Sequence, residues 1–400
     1  MDNQDRALGT IAPDGGCWPT MEQELLLRAS LLEGRDAFDA WKEWESKVDI
    51  DLLDQGSRRL LPMLFRNLRA QGIENSVVDK LKGMYRLTWY KNQMLFQRMA
   101  TLLRLFHESG IQTMIMKGAA LVLLHYKDFG QRPMDDFDVL IRREHVLPAI
   151  DMLTERGWKP VTELGWRPDL EYLKANPEGL LSVRHAIAFM DAAERQFDLH
   201  WHALFECRYN HADDDYWEGA TKIYFNDVAT HVLNPTDQLF HICVHGALWH
   251  PKPTFRWVAD AMMVLNSAEY DIDWDRLTSH AQKRRLILPL RNALAYLRYT
   301  LDAPVPSAIL QSMQKMTVSG VERLEYRIKS RPPGLAGGLP MNWFLFLRSS
   351  QLESCAVLRA NFAGFPRFLK HVWGLDSLWQ MPMYTFSKGM KRVVKAIAGK

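Results

Sequence analysis

The chain has 400 residues, of which 47% are hydrophobic and 24% are charged, and its formal net charge is only +3. The first two values are typical of folded globular proteins and exclude an intrinsically disordered chain, while the length suffices for two or three domains. The small net charge argues against a long nucleic acid as a partner, because such a ligand normally requires a basic track.

Cysteine usage and the first residues bear on location. The four cysteines are widely scattered and include no Cys-x-x-Cys pair: Cys17, Cys207, Cys243 and Cys355. Such a pattern predicts reduced thiols in a cytoplasmic protein. The first residues are acidic and polar, unlike a secretory signal, and no apolar run reaches the length of a membrane span.

The first part of the chain is predicted to be helical. A segment with Pro13, Gly15, Gly16 and Pro19 predicts a flexible lead-in over residues 1–20. Apolar residues then recur at helical spacing and predict an N-terminal helical module over residues 21–92, including the start of a long helix over residues 77–109.

A strand followed directly by a helix comes next. Residues 111–116 predict a short buried strand, and residues 118–124 predict a helix that leaves it. Gly118 lets a ligand approach the backbone at this turn, and a helix N-terminus offers N–H groups to an anion. Lys117 adds a positive charge, so the turn is predicted to bind phosphate.

An Asp-x-Asp pair lies in the next predicted strand, over residues 134–141. Alternation along a strand places Asp136 and Asp138 on one face and Phe137 and Val139 on the other. The two carboxylates repel each other unless a divalent cation lies between them. We therefore expect that neutralising either acid leaves the melting temperature unchanged or raises it. The alternative interpretation is a strand end with solvated acids.

Residues 158–161, 182–190 and 196–201 are predicted to be strands, and the last of them, which alternates, supplies a third carboxylate. Asp198, His200 and His202 fall on one face of this segment. His200 is a candidate to orient Asp198 or to contact a phosphate. An acidic run at residues 213–215 is interpreted as solvated surface, because three consecutive residues cannot share one face.

Further along, residues 234–237 predict a helix start, and two histidines, His241 and His245, share one face of that helix. Their spacing is compatible with zinc, but ordinary core histidines are commoner. Residues 207–385 are predicted to form a C-terminal helical module. Residues 386–400 form a basic tail with the composition of a weak membrane-surface contact.

Taken together, these segments resemble the uncharacterised bacterial branch of the nucleotidyltransferase superfamily that includes DNA polymerase beta. The matching residues are Lys117-Gly118, Arg132, Asp136-Phe137-Asp138, Asp198-Leu199-His200-Trp201 and the segment from Arg256 to Asp260. One departure is Gly118-Ala119, which stands where the superfamily usually has glycine and serine, so that no hydroxyl is available for phosphate.

The resemblance implies an α+β fold in which a small mixed-sheet core, residues 93–206, lies between the two helical modules. It implies an enzyme that moves a nucleoside monophosphate from a nucleoside triphosphate such as ATP to an acceptor. Asp136, Asp138 and Asp198 are then the catalytic carboxylates and the ligands of Mg²⁺, with Mn²⁺ as the alternative ion. The nucleotide-binding residues are Lys117, Gly118, Arg132 and His200.

The acceptor is left open by the sequence, with a peptide, a protein or a small molecule preferred over a long nucleic acid. For Arg132, gripping a triphosphate and pairing with a carboxylate such as Asp135 are equally compatible with its position. Two other functions remain. One is a glycosyltransferase that uses the Asp-x-Asp to hold a nucleotide-sugar, and the other is a non-catalytic nucleotide-binding or peptide-binding protein of the same fold.

Overall fold

The structure is a computed structural model that describes residues 17–161, 175–248, 255–331, 338–349, 364–387 and 390. Most of the predicted lead-in and most of the predicted basic tail lie outside these residues, as does Cys355. Within the described residues, no helix is long and apolar enough to cross a bilayer.

Helices precede the sheet, as the apolar spacing predicted. Five of them are α1 (Met21–Leu31), α2 (Gly34–Lys47), α3 (Gln55–Arg58), α4 (Leu61–Ala70) and α5 (Ser76–Glu108). Helix α1 begins with a capping box, in which the Thr20 hydroxyl accepts from the Gln23 amide and the Gln23 side chain accepts from the Thr20 amide. The predicted boundary between residues 92 and 93 falls inside α5, so this helix joins the first module to the sheet.

Seven strands form one mixed sheet. They are β1 (Thr113–Met116), β2 (Asp138–Ile141), β3 (Lys159–Pro160), β4 (Ala186–Met190), β5 (Gln196–His200), β6 (Thr221–Phe225) and β7 (Val228–Val232). Their order is β3-β4-β5-β2-β1-β7-β6. Strand β2 pairs antiparallel to β1 and parallel to β5, at the centre of the sheet. The α+β class and the mixed sheet are therefore confirmed.

Two parts of the sheet region differ from the sequence expectation. The hairpin of β6 and β7 lies beyond residue 206, inside the region predicted to be helical, and adds two strands to the sheet. Its strands show alternating rather than helical burial, because only one side of the hairpin faces the core. Residues 182–183, expected at the start of a strand, instead end a helix.

Short helices connect the strands. They are α6 (Lys117–Leu121), which continues as a π-helical turn (Val122–Tyr126), α7 (Val146–Glu155), α8 (Pro177–Val183) and α9 (Asp214–Glu218).

The C-terminal part is helical, as predicted. Its helices include α10 (Pro235–Gly246), α11 (Arg256–Leu265), α12 (Trp274–Lys283), α13 (Ile287–Leu301), α14 (Ser307–Lys315), α15 (Gly320–Lys329), α16 (Leu339–Ser349) and α17 (Gly364–Val372). Helix α10 starts where the sequence predicted, since the Asn234 side chain accepts from the Asp237 amide and Pro235 occupies the first turn.

Two large apolar cores organise these elements. One lies between the sheet and helices α5 and α7 and contains Phe137, Leu153 and Phe197. The other is shared by the N-terminal and C-terminal helices, and it joins Trp41 of α2 to Leu290 of α13. The two helical modules therefore pack on each other as well as on the sheet, and their joint core supports one side of the candidate site.

Candidate active site

The register of the sheet brings two of the predicted carboxylates together. Strands β2 and β5 run parallel, and Asp138 is paired with Asp198 across them. The side chains of paired residues point to the same face of a sheet. Asp138 begins β2, so both acids lie at one end of the central strand pair.

The Asp138 carboxylate is held by two side chains. Nζ of Lys117 donates a hydrogen bond to Oδ1 of Asp138, and Nε2 of His200 donates to the same oxygen over 2.9 Å. Burial alone would raise the pKa of Asp138, but Lys117 and then His200 hold it below its usual range. Asp138 is therefore ionised at neutral pH.

His200 is fully buried behind this carboxylate. Burial, followed by the charge of Lys117, lowers the pKa of His200, so the imidazole is neutral at pH 7. Because a carboxylate can only accept, its proton lies on Nε2. Nδ1 is buried and has no hydrogen-bond partner among the described residues. From the sequence, we expected His200 to orient Asp198 or to contact a phosphate. The hydrogen bond observed in the structure is with Asp138.

Asp138, Asp198 and His200 together form a cluster with metal-binding chemistry. One ligand atom from each lies within 4.8 Å of the others. Two carboxylates and an imidazole are donors that divalent cations accept. Within the described parts of the chain, this is the one group of its kind. The His241 and His245 pair, considered for zinc from its spacing, does not form such a group.

Lys117 reaches Asp138 from a strained backbone position. Its φ angle is 46°, in the left-handed region that costs a non-glycine residue about 1 kcal/mol or more. Although burial would lower the pKa of Lys117, Asp138 first and then Asp198 and Asp136 raise it. The lysine is therefore a fixed positive charge. The helix that follows has five residues before the π-helical turn, so its dipole adds little to this charge.

Neighbouring side chains leave no room for a Cβ atom at Gly118. A Cβ atom at this position would lie 2.2 Å from Nη1 of Arg132 and 2.9 Å from Sδ of Met134. From the sequence, we expected the missing side chain to admit a ligand. In the structure, the space beside the glycine is occupied by the Arg132 guanidinium, which the close approach positions next to Lys117.

Arg132 is clamped by an acid from the C-terminal module. Its Nε and Nη2 donate to the two carboxylate oxygens of Asp260 over 2.7 and 2.8 Å, and the Tyr126 hydroxyl also donates to Asp260. The alternative that Arg132 pairs with a carboxylate is therefore confirmed, but the partner is Asp260, because Asp135 instead accepts from Arg59. Asp260 accepts from two of the three guanidinium nitrogens, and the third, Nη1, lies on the Gly118 side. Arg132 also lines a cavity.

A cavity of about 190 Å³ joins these groups. Asp136, which precedes β2 rather than lying in it, has an exposed carboxylate at this cavity. Loss of water around the carboxylate raises the pKa of Asp136, and the negative charge of Asp138 raises it further. The cavity is also lined by positive side chains, namely Arg59, Lys117, Arg132 and Arg256. Acidic and basic side chains thus line one cavity together.

Some residues of this cavity were missed from the sequence. Arg256 donates to the carbonyl of Pro133 over 2.7 Å, and burial followed by Arg132 lowers its pKa to about 10. Arg59 lies in the turn between α3 and α4, and it belongs to none of the sequence motifs. Arg256 and Asp260 lie in the segment that carried the resemblance, and that segment was the available signal for a role near the site.

Two other predicted features have structural roles. His202 lies past the end of β5, where its Nδ1 is 2.6 Å from Oδ2 of Asp213. Asp213 is buried and also accepts from the Ala203 amide over 3.0 Å, so the acidic run at residues 213–215 is not simply solvated surface. The His241 ring is buried with Nε2 3.0 Å from the Ala203 carbonyl oxygen, and it stacks on His245 at the cavity wall.

The chain belongs to the uncharacterised nucleotidyltransferase family, which it matches over residues 51–302. This range contains every residue that the sequence analysis placed in the site. The family resemblance inferred from the motifs is therefore confirmed.

Among solved structures, the chain is similar to an antigenic nucleotidyltransferase-like protein from Paracoccidioides brasiliensis. The two share 16% identity with a TM-score of 0.31, and the similarity covers 54% of this chain and 96% of the other. None of the curated proteins matches this chain.

Proposed function

We propose that the protein is a metal-dependent nucleotidyltransferase, which transfers a nucleoside monophosphate from a nucleoside triphosphate to an acceptor hydroxyl or other oxygen nucleophile and releases pyrophosphate. The observation that carries this proposal is the convergence of Asp138, Asp198 and His200 beside Lys117 in one cavity. Membership of the family supports the same reaction class.

The charges at the site fit a divalent cation. Asp136, Asp138 and Asp198 contribute three negative charges to the cavity, and Lys117 offsets one of them. A divalent ion would offset the charge of these carboxylates, and their oxygens are the ligands that Mg²⁺ prefers. We propose Mg²⁺, with Mn²⁺ as the alternative, held by these three carboxylates with His200 beside them. When bound, it would supply positive charge that stabilises the negative charge developing on the phosphates.

Each residue then has a defined role. Asp198 accepts the proton of the attacking acceptor group, since it lies beside Asp138 on the neighbouring strand. His200 holds the Asp138 carboxylate in one orientation through Nε2. Lys117 and Nη1 of Arg132 supply positive charge to the triphosphate. Gly118 allows that guanidinium to approach.

The acceptor is proposed to be a peptide, a protein or a small molecule. Helices α10 and α11 line part of the cavity through His245, Arg256 and Trp257 among others. They contribute one arginine beside an imidazole and an indole, and not a continuous basic track of the kind that binds long nucleic acid. We place the reaction in the cytoplasm, where nucleoside triphosphates and Mg²⁺ are available.

The test is to incubate the protein with each labelled nucleoside triphosphate, Mg²⁺ and a cell lysate, and to identify the labelled product by mass spectrometry. The matched control is Asp198→Asn, which keeps the size of the side chain and removes its charge. The proposal predicts label with the native protein and none with Asp198→Asn. Equal labelling by both proteins contradicts the role of this carboxylate.

The same assay separates the two other functions. A glycosyltransferase would transfer label from a nucleotide-sugar and not from a nucleoside triphosphate. A non-catalytic binding protein would bind the triphosphate in a filter assay and transfer label from neither donor. The third strand carboxylate and the lysine-glycine turn favour nucleotidyl transfer over both.

A further inference from the structure

An apolar stripe is exposed near the C-terminal end of the described chain. A 3-10 turn (Leu378–Gln380) is followed by a helix over residues 381–387. Trp379, Met383 and Phe386 are 91%, 73% and 71% exposed, and Met390 is 50% exposed. Their spacing of four, three and four residues corresponds to one face of a helix. Large side chains this open are costly in water when they lie side by side.

The opposite face of the same helix is already occupied. Met381 and Tyr384 pack against a small core made of Leu369, Trp373 and Leu375. The rings of Trp373 and Tyr384 are 5.1 Å apart. Packing against the rest of the fold therefore explains the inner face, while the outer face is not needed to hold the helix in place.

The charged residues at the C-terminal end of the sequence are all basic. Asp376 is the last acidic residue, and residues 377–400 contain five lysines and arginines: Lys388, Lys391, Arg392, Lys395 and Lys400. The whole chain carries a formal charge of only +3. Residues 377–400 therefore carry a formal charge of +5, and most of these basic residues follow the apolar stripe in the sequence.

We infer that residues 377–400 bind the surface of an anionic lipid bilayer. An apolar stripe with an aromatic residue suits the boundary between headgroups and acyl chains, and adjacent lysines and arginines are attracted to lipid phosphates. A second copy of this chain would cover the stripe equally well, but it would bring two such positive segments together. Charge complementarity therefore favours the lipid surface. The inference does not depend on the proposed reaction.

The experiment uses the full chain and sedimentation with vesicles. We expect binding to vesicles of phosphatidylglycerol and phosphatidylcholine, much weaker binding to phosphatidylcholine alone, and loss of binding as salt is raised. The double substitution of Trp379→Ser and Phe386→Ser should weaken binding at least about tenfold. Tyr224→Ser is the matched control, because Tyr224 is 70% exposed on β6, and it should bind like the native protein.

A second variant tests the charges. Lys391→Gln with Arg392→Gln should weaken binding to the anionic vesicles by about fivefold for each charge removed. Melting curves of all variants should coincide with that of the native chain. If the apolar double variant melts at a lower temperature than the native chain, the vesicle binding of the charge variant tests the inference instead.

Three results would overturn the inference. The first is a native chain that sediments with neither kind of vesicle. The second is a charge variant that binds anionic vesicles as tightly as the native chain. The third is light scattering that shows a native dimer, converted to a monomer by the apolar substitutions, together with no vesicle binding, which would assign the stripe to a second copy.

Discussion

The contacts of Asp138 change what its neutralisation should do. Repulsion between the paired acids alone predicts that Asp136→Asn and Asp138→Asn both keep or raise the melting temperature. In the structure, Asp138 accepts from both Lys117 and His200, so Asp138→Asn leaves the Lys117 ammonium without its main partner. We therefore predict opposite effects at the two positions.

The magnitude follows from the burial of the pair. Breaking a fully buried ion pair costs about 3–5 kcal/mol. The Lys117 side chain is 26% exposed and the Asp138 side chain 10%, so the freed ammonium reaches water and the other acids of the cavity. The loss should then be about 2 kcal/mol, or about 2–3 °C in melting temperature for a chain of this size.

The signs at the two acids follow from their pKa shifts. The pKa of Asp138 is lowered in the folded state, so its contribution to stability is present above the unfolded pKa near 3.9 and is lost below it. The pKa of Asp136 is raised, so its ionised form carries a stability penalty at neutral pH that disappears as the pH falls. Asp136→Asn removes that penalty and should raise the melting temperature.

The assay is thermal and urea unfolding of the metal-free protein at pH 7. Asp135→Asn serves as the control, because the Asp135 side chain is 73% exposed in its pair with Arg59 and should change stability by less than about 0.5 kcal/mol. Lys117→Met combined with Asp138→Asn should cost less than the sum of the single changes. A higher melting temperature for Asp138→Asn would refute the structural role assigned to the pair.

Four further predictions concern ligand binding, packing and pH. Nucleoside triphosphate should bind only with a divalent ion, and calorimetry giving equal affinity with chelator would contradict this. Lys117→Met should weaken triphosphate binding by about 1–3 kcal/mol at fixed Mg²⁺, while an unchanged dissociation constant would remove Lys117 from the nucleotide site. Gly118→Ala should lower the free energy of urea unfolding by about 1–3 kcal/mol and impair transfer, because the added Cβ would displace Arg132. A variant as stable as the native protein would show that the guanidinium moves freely. Burial lowers the pKa of His241 to about 4, so native stability should fall between pH 6.5 and 4 more steeply than in His241→Phe, and parallel curves would show that His241 does not titrate in this range.

Local patterns in the sequence were sufficient for much of the fold. The alternation around Asp198 and the apolar run before Lys117 predicted β5 and β1, because side-chain periodicity depends only on near neighbours. Asn234 and Pro235 predicted the start of α10 for the same reason, since a helix cap is made within four residues. The Asp-x-Asp and the lysine-glycine turn were enough to indicate the family, which the comparison confirmed.

The tertiary structure alone decided which of these residues touch. Arg132 and Asp260 are 128 positions apart, and no local period indicates that one clamps the other. The same holds for the contact of Lys117 with Asp138, which depends on the antiparallel pairing of β1 with β2. The apolar character of Phe386 is visible in the sequence, but its exposure is decided by which face of its helix the rest of the fold covers. Partners distant along the chain meet through packing, which a local pattern does not record.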